Sequence, residues 1–161
     1  MIISSTTIIR LLEAGAACVR PFADPEAARQ FEAETEEAVL VGEDGGPISG
    51  FDHSPLPSLL KEADLGGRPV GIRTSNGTRA MDRIGGNDGI YVGSTINAGA
   101  VADALREYEA DIWVVAAGRL APRRGLRART RRTAGVRLDD HHAETGRRRL
   151  RFEVGSVVCP N

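Results

Sequence analysis

The sequence predicts an α/β fold: a mixed or mostly parallel sheet with helices on its faces. Apolar stretches typical of strands alternate with amphipathic helical patterns up to Ala117. The segments between strands leave room for crossover helices of about ten residues, which are typical of such sheets. At 161 residues the chain is long enough for a single domain with a hydrophobic core.

Four helices are predicted from residue spacing, caps and breakers. In STTIIRLLEAGA, isoleucines and leucines recur at near-helical spacing behind Ser and Thr caps, and Gly15 ends the helix. Asp24 is the expected N-cap of the second helix, with Pro25 at its first position and Glu26 in its first turn. The third helix lies in PLPSLLKEA, and Asn97 caps the fourth in NAGAVADALREYEA.

Five strands are predicted between and after these helices. In chain order they are CVRPF, AVLVG, RPVGIRTS, DGIYVGS and DIWVVAA, of which the last is the most apolar. Ligands of such sheets bind where loops leave the carboxyl ends of strands, often beside helix N-termini whose free amides favour anions. The loops that follow the strands are therefore the candidate ligand site.

The charge balance changes abruptly near residue 118. Up to Ala117 the chain has 9 Lys and Arg residues against 18 Asp and Glu, and from Gly118 onward it has 12 against 4. We therefore expect an α/β domain over residues 1–118 and an Arg-rich tail over residues 119–161.

Three explanations of this tail stay open: a basic arm for nucleic acid, a disordered solvated extension, and a shifted reading frame in a GC-rich gene. Nucleic acid is not a favoured partner, because Phe152 is the only aromatic residue of the tail on which a base could stack. The frame shift is the preferred explanation, since it accounts for the change of charge at one point.

Location and cysteine chemistry are predicted from what the sequence lacks. No apolar run approaches the ~20 residues that cross a bilayer, and the first residues lack the layout of a signal peptide. We therefore expect a cytoplasmic protein with no membrane partner. Cys18 and Cys159 lie far apart without C-x-x-C spacing, which predicts free thiols rather than a zinc site or a disulfide.

Three loops rich in small polar residues are the candidate site. They are SGFDHSP (Ser49 to Pro55), TSNGTRA (Thr74 to Ala80) and GSTINAGA (Gly93 to Ala100). Their glycines let the backbone approach a ligand, and Arg79 adds a planar cation that matches phosphate or sulfonate oxygens. Asp52 is the carboxylate best placed for Mg²⁺, which prefers a few carboxylates and water.

A structural interpretation of the same loops stays open. Asn-Gly is a turn signal, Thr78 is able to cap the following helix, and Arg79 is able to pair with Asp82. Asp52 and Ser54 are equally suited to organising a turn before the next proline. No single loop decides between structure and function.

The order of the loops resembles that of a known enzyme family. The stretches GFDHSP, TSNGTRAM, GSTINAGAVADAL and DIWVVAAG, in this order, are similar to the 2-phosphosulfolactate phosphatase family. The similarity runs from about Ser4 to Gly118, and TSNGTRA is its most specific part. The first loop is shorter than in the family, with His53 directly before Ser54 and Pro55.

This resemblance implies a magnesium-dependent phosphatase that converts 2-phospho-3-sulfolactate to 3-sulfolactate and phosphate, a step toward coenzyme M. It implies catalytic roles for Asp52 and Arg79, with Asp52 at Mg²⁺ or its bound water and Arg79 at phosphate or sulfonate. The residues implied to bind the substrate are Ser54, Asn76, Gly77, Thr78, Ser94 and Asn97. The implied partner is a small phosphorylated sulfonate or carboxylate, and a homo-oligomer stays open.

Both ends depart from the family pattern. The family begins with a strand similar to VVIDVLRAT, which carries an aspartate, whereas this chain begins MIISSTT. No similarity continues past Gly118, where the family has a Gly-rich loop and an acidic helix start. We therefore expect a fold that is incomplete at both ends and a phosphatase whose activity in this form is in question. The alternative is a noncatalytic remnant or a basic-tailed module that binds nucleic acid nonspecifically.

Overall fold

A parallel three-stranded sheet forms the centre of the fold. The computed structural model describes residues 3–60, 63–84, 90–106, 112, 114 and 115. Its elements are α1 (Ile3–Glu13), β1 (Cys18–Phe22), α2 (Pro25–Glu34), β2 (Val39–Gly42), β3 (Pro69–Arg73), α3 (Gly77–Ile84) and α4 (Ala98–Leu105). The strand order is β1-β3-β2, and both outer strands run parallel to β3. The predicted α/β class with a parallel sheet is confirmed.

The two faces of the sheet bury separate hydrophobic clusters. One cluster combines residues of α1 with one face of the strands, including Ile8, Leu11, Val19, Val39, Val41, Val70 and Ile72. The other combines α2 with the opposite face through Phe22, Ala28, Phe31, Ala38 and Leu40. A Cβ at Gly71 would lie 2.8 Å from Leu40 Cδ2 and 3.1 Å from Phe31 Cδ1. Glycine in the central strand therefore lets α2 pack closely on the sheet.

Helix α1 begins earlier than the sequence predicts. The expected Ser and Thr caps lie inside the helix, where Ser4, Ser5 and Thr7 are buried, so their predicted capping role is wrong. These small side chains instead face the packed side of the helix, and the Thr7 hydroxyl donates a hydrogen bond to the Pro55 carbonyl oxygen. This bond ties α1 to the loop after β2. The end is as predicted, because Gly15 follows the helix with φ of +94°, where glycine is favoured.

The predicted N-cap positions are confirmed, but their side chains do not cap. Asp24 precedes Pro25 at the start of α2, Glu26 lies in its first turn, and Asn97 precedes α4. Neither the Asp24 nor the Asn97 side chain bonds an amide of the helix that follows. The Asn97 side chain bonds the loop before it instead.

Two predicted elements are wrong over their described residues. PLPSLLKEA forms turn and 3₁₀ geometry over residues 57–60 rather than an α-helix, and its two prolines disfavour helical backbone in the residues before them. In DGIYVGS, residues 90–94 form no strand, because no described strand pairs with them. The Val92 carbonyl oxygen accepts a hydrogen bond from the Asn97 side chain instead.

Several predictions fall mainly outside the described residues. Of DIWVVAA, only Ile112, Val114 and Val115 are described; these three are exposed and do not belong to a strand. The tail over residues 119–161 and the last part of the fourth helix pattern lie outside the described residues.

Two further features of the described residues concern the membrane and the cysteines. None of the described helices has the length and apolar character needed to cross a membrane.

Cys18 is disulfide-bonded, so the predicted free thiol is wrong. Spacing along the sequence does not report the distance between two sulfurs in the fold.

Candidate active site

A surface pocket of about 690 Å³ lies at the carboxyl ends of β2 and β3. The end of β2, the loop after β2, the loop after β3 and the first turn of α3 line it. The lining residues are Gly42, Glu43, Asp44, Gly45, Gly46, Pro47, Ser54, Pro55, Leu56, Ser75, Asn76 and Arg79. Open α/β sheets bind ligands at this edge, where the N-terminus of a following helix favours anions. Here that helix is α3.

Three of the residues predicted from the sequence line this pocket: Ser54, Asn76 and Arg79. The turn after β3 ends at Asn76, and Arg79 lies in the first turn of α3. Arg79 is half-buried, and none of the ion pairs in the described part of the chain joins it to Asp82. Its planar guanidinium is therefore placed to bind an anion in the pocket.

Thr74 and Thr78 fix the turn that presents Asn76 and Arg79. Both threonines are buried. The Thr78 hydroxyl accepts a hydrogen bond from the Thr74 N–H at 3.0 Å and donates one to the Thr74 carbonyl oxygen at 2.9 Å. The Thr78 N–H donates to the Thr74 hydroxyl at 3.3 Å. Thr78 and its buried neighbour Gly77 thus lie at the start of α3, outside the set of residues that line the pocket.

Glu43 joins the two loops of the pocket. Its carboxylate accepts hydrogen bonds from the Ser75 N–H at 2.8 Å, the Ser75 hydroxyl at 2.8 Å and the Gly45 N–H at 2.9 Å. Partial burial acts to raise the pKa of Glu43, but these hydrogen bonds and the charge of Arg73 outweigh it and lower the pKa below its usual range. Glu43 is therefore an ionised acceptor at neutral pH.

Arg73 lies at the end of β3 and holds the loop after β2. Its side chain is fully buried, and Nη1 donates a hydrogen bond to the Glu43 carbonyl oxygen at 2.9 Å. Nη2 lies 2.9 Å from Asp44 Oδ2, but within the part of the chain that the structure describes neither Nη2 nor Nε has a partner with hydrogen-bond geometry. We therefore treat the contact with Asp44 as an ion pair without a hydrogen bond.

Asp52, the predicted magnesium ligand, lies beside the outer edge of β2. Its Oδ2 accepts a hydrogen bond from the Leu40 N–H at 2.8 Å, and its own N–H donates to the Leu40 carbonyl oxygen at 2.9 Å. His53 continues this pairing through a bond from the Gly42 N–H to its carbonyl oxygen. The Asp52 carboxylate thus satisfies an edge amide, and Asp52 does not line the pocket.

Ser94 and Asn97 form a turn of their own. Asn97 Oδ1 accepts a hydrogen bond from the Ser94 N–H at 2.7 Å, and its Nδ2 donates to the Val92 carbonyl oxygen at 2.9 Å. Neither Ser94 nor Asn97 lines the pocket, and α4, which follows them, buries none of its residues. The structure therefore brings the first two predicted loops together without the third.

Glu43 and Asp44 were not predicted from the sequence, yet they line the pocket together with Asn76 and Arg79. The signal that identifies them is the stretch GEDGG directly after the buried strand VLVG, at the edge of the sheet where ligands bind. Because Glu43 is bonded to Ser75 and Asp44 is paired with Arg73, their charges are partly compensated. The pocket therefore remains suited to an anion bound at Arg79.

Comparison with known proteins matches this chain to an enzyme family. A model of the 2-phosphosulpholactate phosphatase family matches residues 1–122. A protein of Symbiobacterium thermophilum is 39% identical over 120 residues, which cover 71% of this chain and 51% of that protein. A Prochlorococcus marinus protein (strain MIT 9303) is 34% identical over 119 residues, covering 71% and 49%. A Thermoplasma acidophilum protein is 33% identical over 117 residues, covering 72% and 52%.

Each of these relatives is named a probable 2-phosphosulfolactate phosphatase. The chain spans about half the length of the curated relatives that it matches. The matched region contains every described element, the pocket and the TSNGTRA loop. With three quarters of its residues inside the family model, this chain belongs to the 2-phosphosulpholactate phosphatase family.

Proposed function

We propose that this chain carries the phosphate-binding part of a phosphomonoesterase site that acts on 2-phospho-3-sulfolactate and yields 3-sulfolactate and phosphate. The observation that supports the proposal is the position of Arg79, which lines a pocket at the carboxyl ends of two parallel strands. The names of the relatives supply the substrate. A step toward coenzyme M is proposed from the resemblance alone, and the cytoplasmic location expected from the sequence stays a proposal.

The residues of the pocket divide the work of binding the phosphate. Hydrolysis of a phosphate ester requires that charge on the phosphoryl oxygens be offset and that the group be held in line with the attacking oxygen. Arg79 offsets this charge, while Ser54 and Asn76 orient the substrate as neutral partners in the pocket. Glu43 holds Ser75 and the loop after β2 in place, and its ionised state makes it unsuited to donate a proton to the leaving group.

Magnesium dependence is also proposed from the resemblance alone. The His, Cys, Asp and Glu side chains of the described residues do not form a site for the ion. No group of three His, Cys, Asp or Glu side chains comes together among the described residues. Glu43 accepts three hydrogen bonds, Asp44 is paired with Arg73, and Asp52 bonds the edge of β2. The roles of Arg79, Ser54 and Asn76 rest on their position in the pocket and not on the ion.

The Arg79→Ala variant is expected to lose about a hundredfold in kcat/KM for phosphate release, because one charged donor to the phosphoryl oxygens is removed. Phosphate release from 2-phospho-3-sulfolactate by the full chain measures this effect, with circular dichroism to check that the variant is folded. The Arg83→Ala variant is the matched control, since Arg83 is exposed on the same helix and does not line the pocket.

Activity of Arg79→Ala equal to that of the wild type would contradict the role of Arg79. A folded wild-type chain that releases no phosphate would contradict the proposed function and support the alternative of a noncatalytic remnant. In that case, binding of nucleic acid that weakens steeply with salt would identify the basic-tailed module.

Chelation of divalent ions is expected to abolish phosphate release, and added Mg²⁺ is expected to restore it. The Asp52→Asn variant separates the two roles of Asp52. A higher Mg²⁺ concentration for half-maximal activity would assign Asp52 to the ion, and an unchanged requirement would assign it to the edge of β2 alone. Activity that survives complete chelation would contradict magnesium dependence.

A further inference from the structure

The buried guanidinium of Arg73 has binding capacity that its own chain does not use. The side chain is 0% exposed, yet Nε and Nη2 have no hydrogen-bond partner among the described residues. A buried charge without full hydrogen bonding is costly, and a guanidinium fork binds two oxygens of a carboxylate, phosphate or sulfonate at once. An anion with suitable geometry would therefore bind Arg73 better than its present contact does.

Asp44 contacts this guanidinium and also lines the pocket. Its side chain is 48% exposed, and it contacts Arg73 through Oδ2 alone, without hydrogen-bond geometry at Nη2. Ion pairs with an exposed partner are weak, because water competes for the exposed charge. Because its carboxylate is half exposed, the Asp44 side chain is able to turn into solvent when an incoming anion takes its place at Arg73, so that the buried guanidinium is not left without a counter-ion.

The loop that carries Asp44 is held by other bonds. The Glu43 carboxylate accepts three hydrogen bonds, from Ser75 and Gly45, and the Glu43 carbonyl oxygen accepts one from Arg73 Nη1. The Glu43 N–H donates to the Arg73 carbonyl oxygen at 2.9 Å. None of these bonds involves the Asp44 side chain, so it is able to leave Arg73 while the loop keeps its position.

We propose that Asp44 is an exchangeable counter-ion of Arg73. When an anionic ligand enters the pocket, one of its phosphate, sulfonate or carboxylate groups displaces the Asp44 carboxylate and binds Arg73. Arg79 and Arg73 then supply two cationic subsites, as a ligand with more than one anionic group requires. The identity of the natural ligand rests on the proposed function, whereas the exchange requires only an oxyanion.

Sulfate binding to the full chain, measured by titration calorimetry, tests the exchange without any turnover. Asp44→Asn is expected to bind sulfate about tenfold more tightly than the wild type, because the competing carboxylate is gone. Asp82→Asn is the matched control: Asp82 is an exposed acid on α3 that does not line the pocket. Its sulfate affinity is expected to stay within about twofold of the wild type.

A double-mutant cycle separates exchange on Arg73 from general charge repulsion. Arg73→Gln is expected to weaken sulfate binding about tenfold, and adding Asp44→Asn to it is expected to give no gain. An equal gain from Asp44→Asn with and without Arg73 would overturn the proposal, as would an unchanged affinity of the single Asp44→Asn variant.

A second measurement covers the case in which Arg73→Gln fails to fold. In the wild-type chain, the Nε–H signal of Arg73 in nitrogen-15 spectra is expected to shift as sulfate is added, and a signal that stays fixed at saturation would overturn the proposal. Sulfate binding with the expected cycle but no phosphate release would leave the exchange standing and contradict the proposed function alone.

Discussion

The Gly42→Ala variant is expected to lose about 2–3 kcal/mol of unfolding free energy through the addition of one methyl group. A Cβ at residue 42 would lie 2.6 Å from the Arg73 carbonyl oxygen and 2.7 Å from Phe51 Cε2. The carbonyl oxygen belongs to the central strand and accepts a hydrogen bond from the Glu43 N–H at 2.9 Å. The oxygen therefore cannot move away without breaking this hydrogen bond, which joins the end of β3 to the loop after β2.

Urea unfolding followed by circular dichroism measures this loss as a lower midpoint. Gly93→Ala is the matched control, because among the described residues no atom beyond its chain neighbours lies within 4 Å of a Cβ at residue 93. Its unfolding free energy is expected to stay within about 0.5 kcal/mol of the wild type. Equal midpoints for Gly42→Ala and the wild type would contradict this prediction. They would show that β2 and β3 separate easily at their carboxyl ends and that Phe51 does not pack tightly against Gly42.

The three strands of the sheet were predictable because their chemistry is local. CVRPF, AVLVG and RPVGIRTS are short apolar stretches between turn residues, and each contains the observed strand. The stretch DGIYVGS has the same local pattern, but its residues 90–94 form no strand because pairing depends on a neighbour elsewhere in the chain. The Ser and Thr residues of α1 fail as caps for a similar reason, since burial of Thr7 against the Pro55 loop is a tertiary contact.

The candidate site was predictable only where its side chains follow one strand within a few residues. Asn76 and Arg79 follow β3 within a few residues, so their position beside the helix N-terminus is set by local sequence. Asp52 stands in a loop of similar composition, yet its carboxylate bonds the edge of β2, which no local pattern reveals. The link between Glu43 and Ser75 joins residues 32 positions apart, and the sheet register that brings them together is not visible in either stretch alone.

The Glu43→Gln variant is expected to be about 2 kcal/mol less stable than the wild type at pH 7. Two backbone N–H groups and a hydroxyl now donate to a carboxylate, and a glutamine would present an NH₂ group to some of these donors. The same change removes a negative charge that interacts with Arg73, so the loop after β2 loses a second stabilising interaction. Urea unfolding at pH 7 measures the difference in unfolding free energy.

The pH dependence of this difference identifies the cause. The folded state lowers the pKa of Glu43 below the value of about 4.3 of an unfolded glutamate, so its contribution is fully present above about pH 4.3. As the pH falls through the folded pKa, both states bind the proton, and the gap between the wild type and Glu43→Gln is expected to narrow. Glu36→Gln, at an exposed glutamate, is expected to match the wild type at pH 7. A gap that stays constant from pH 7 to pH 3 would show that the shape of the side chain, not its charge, holds the two loops together.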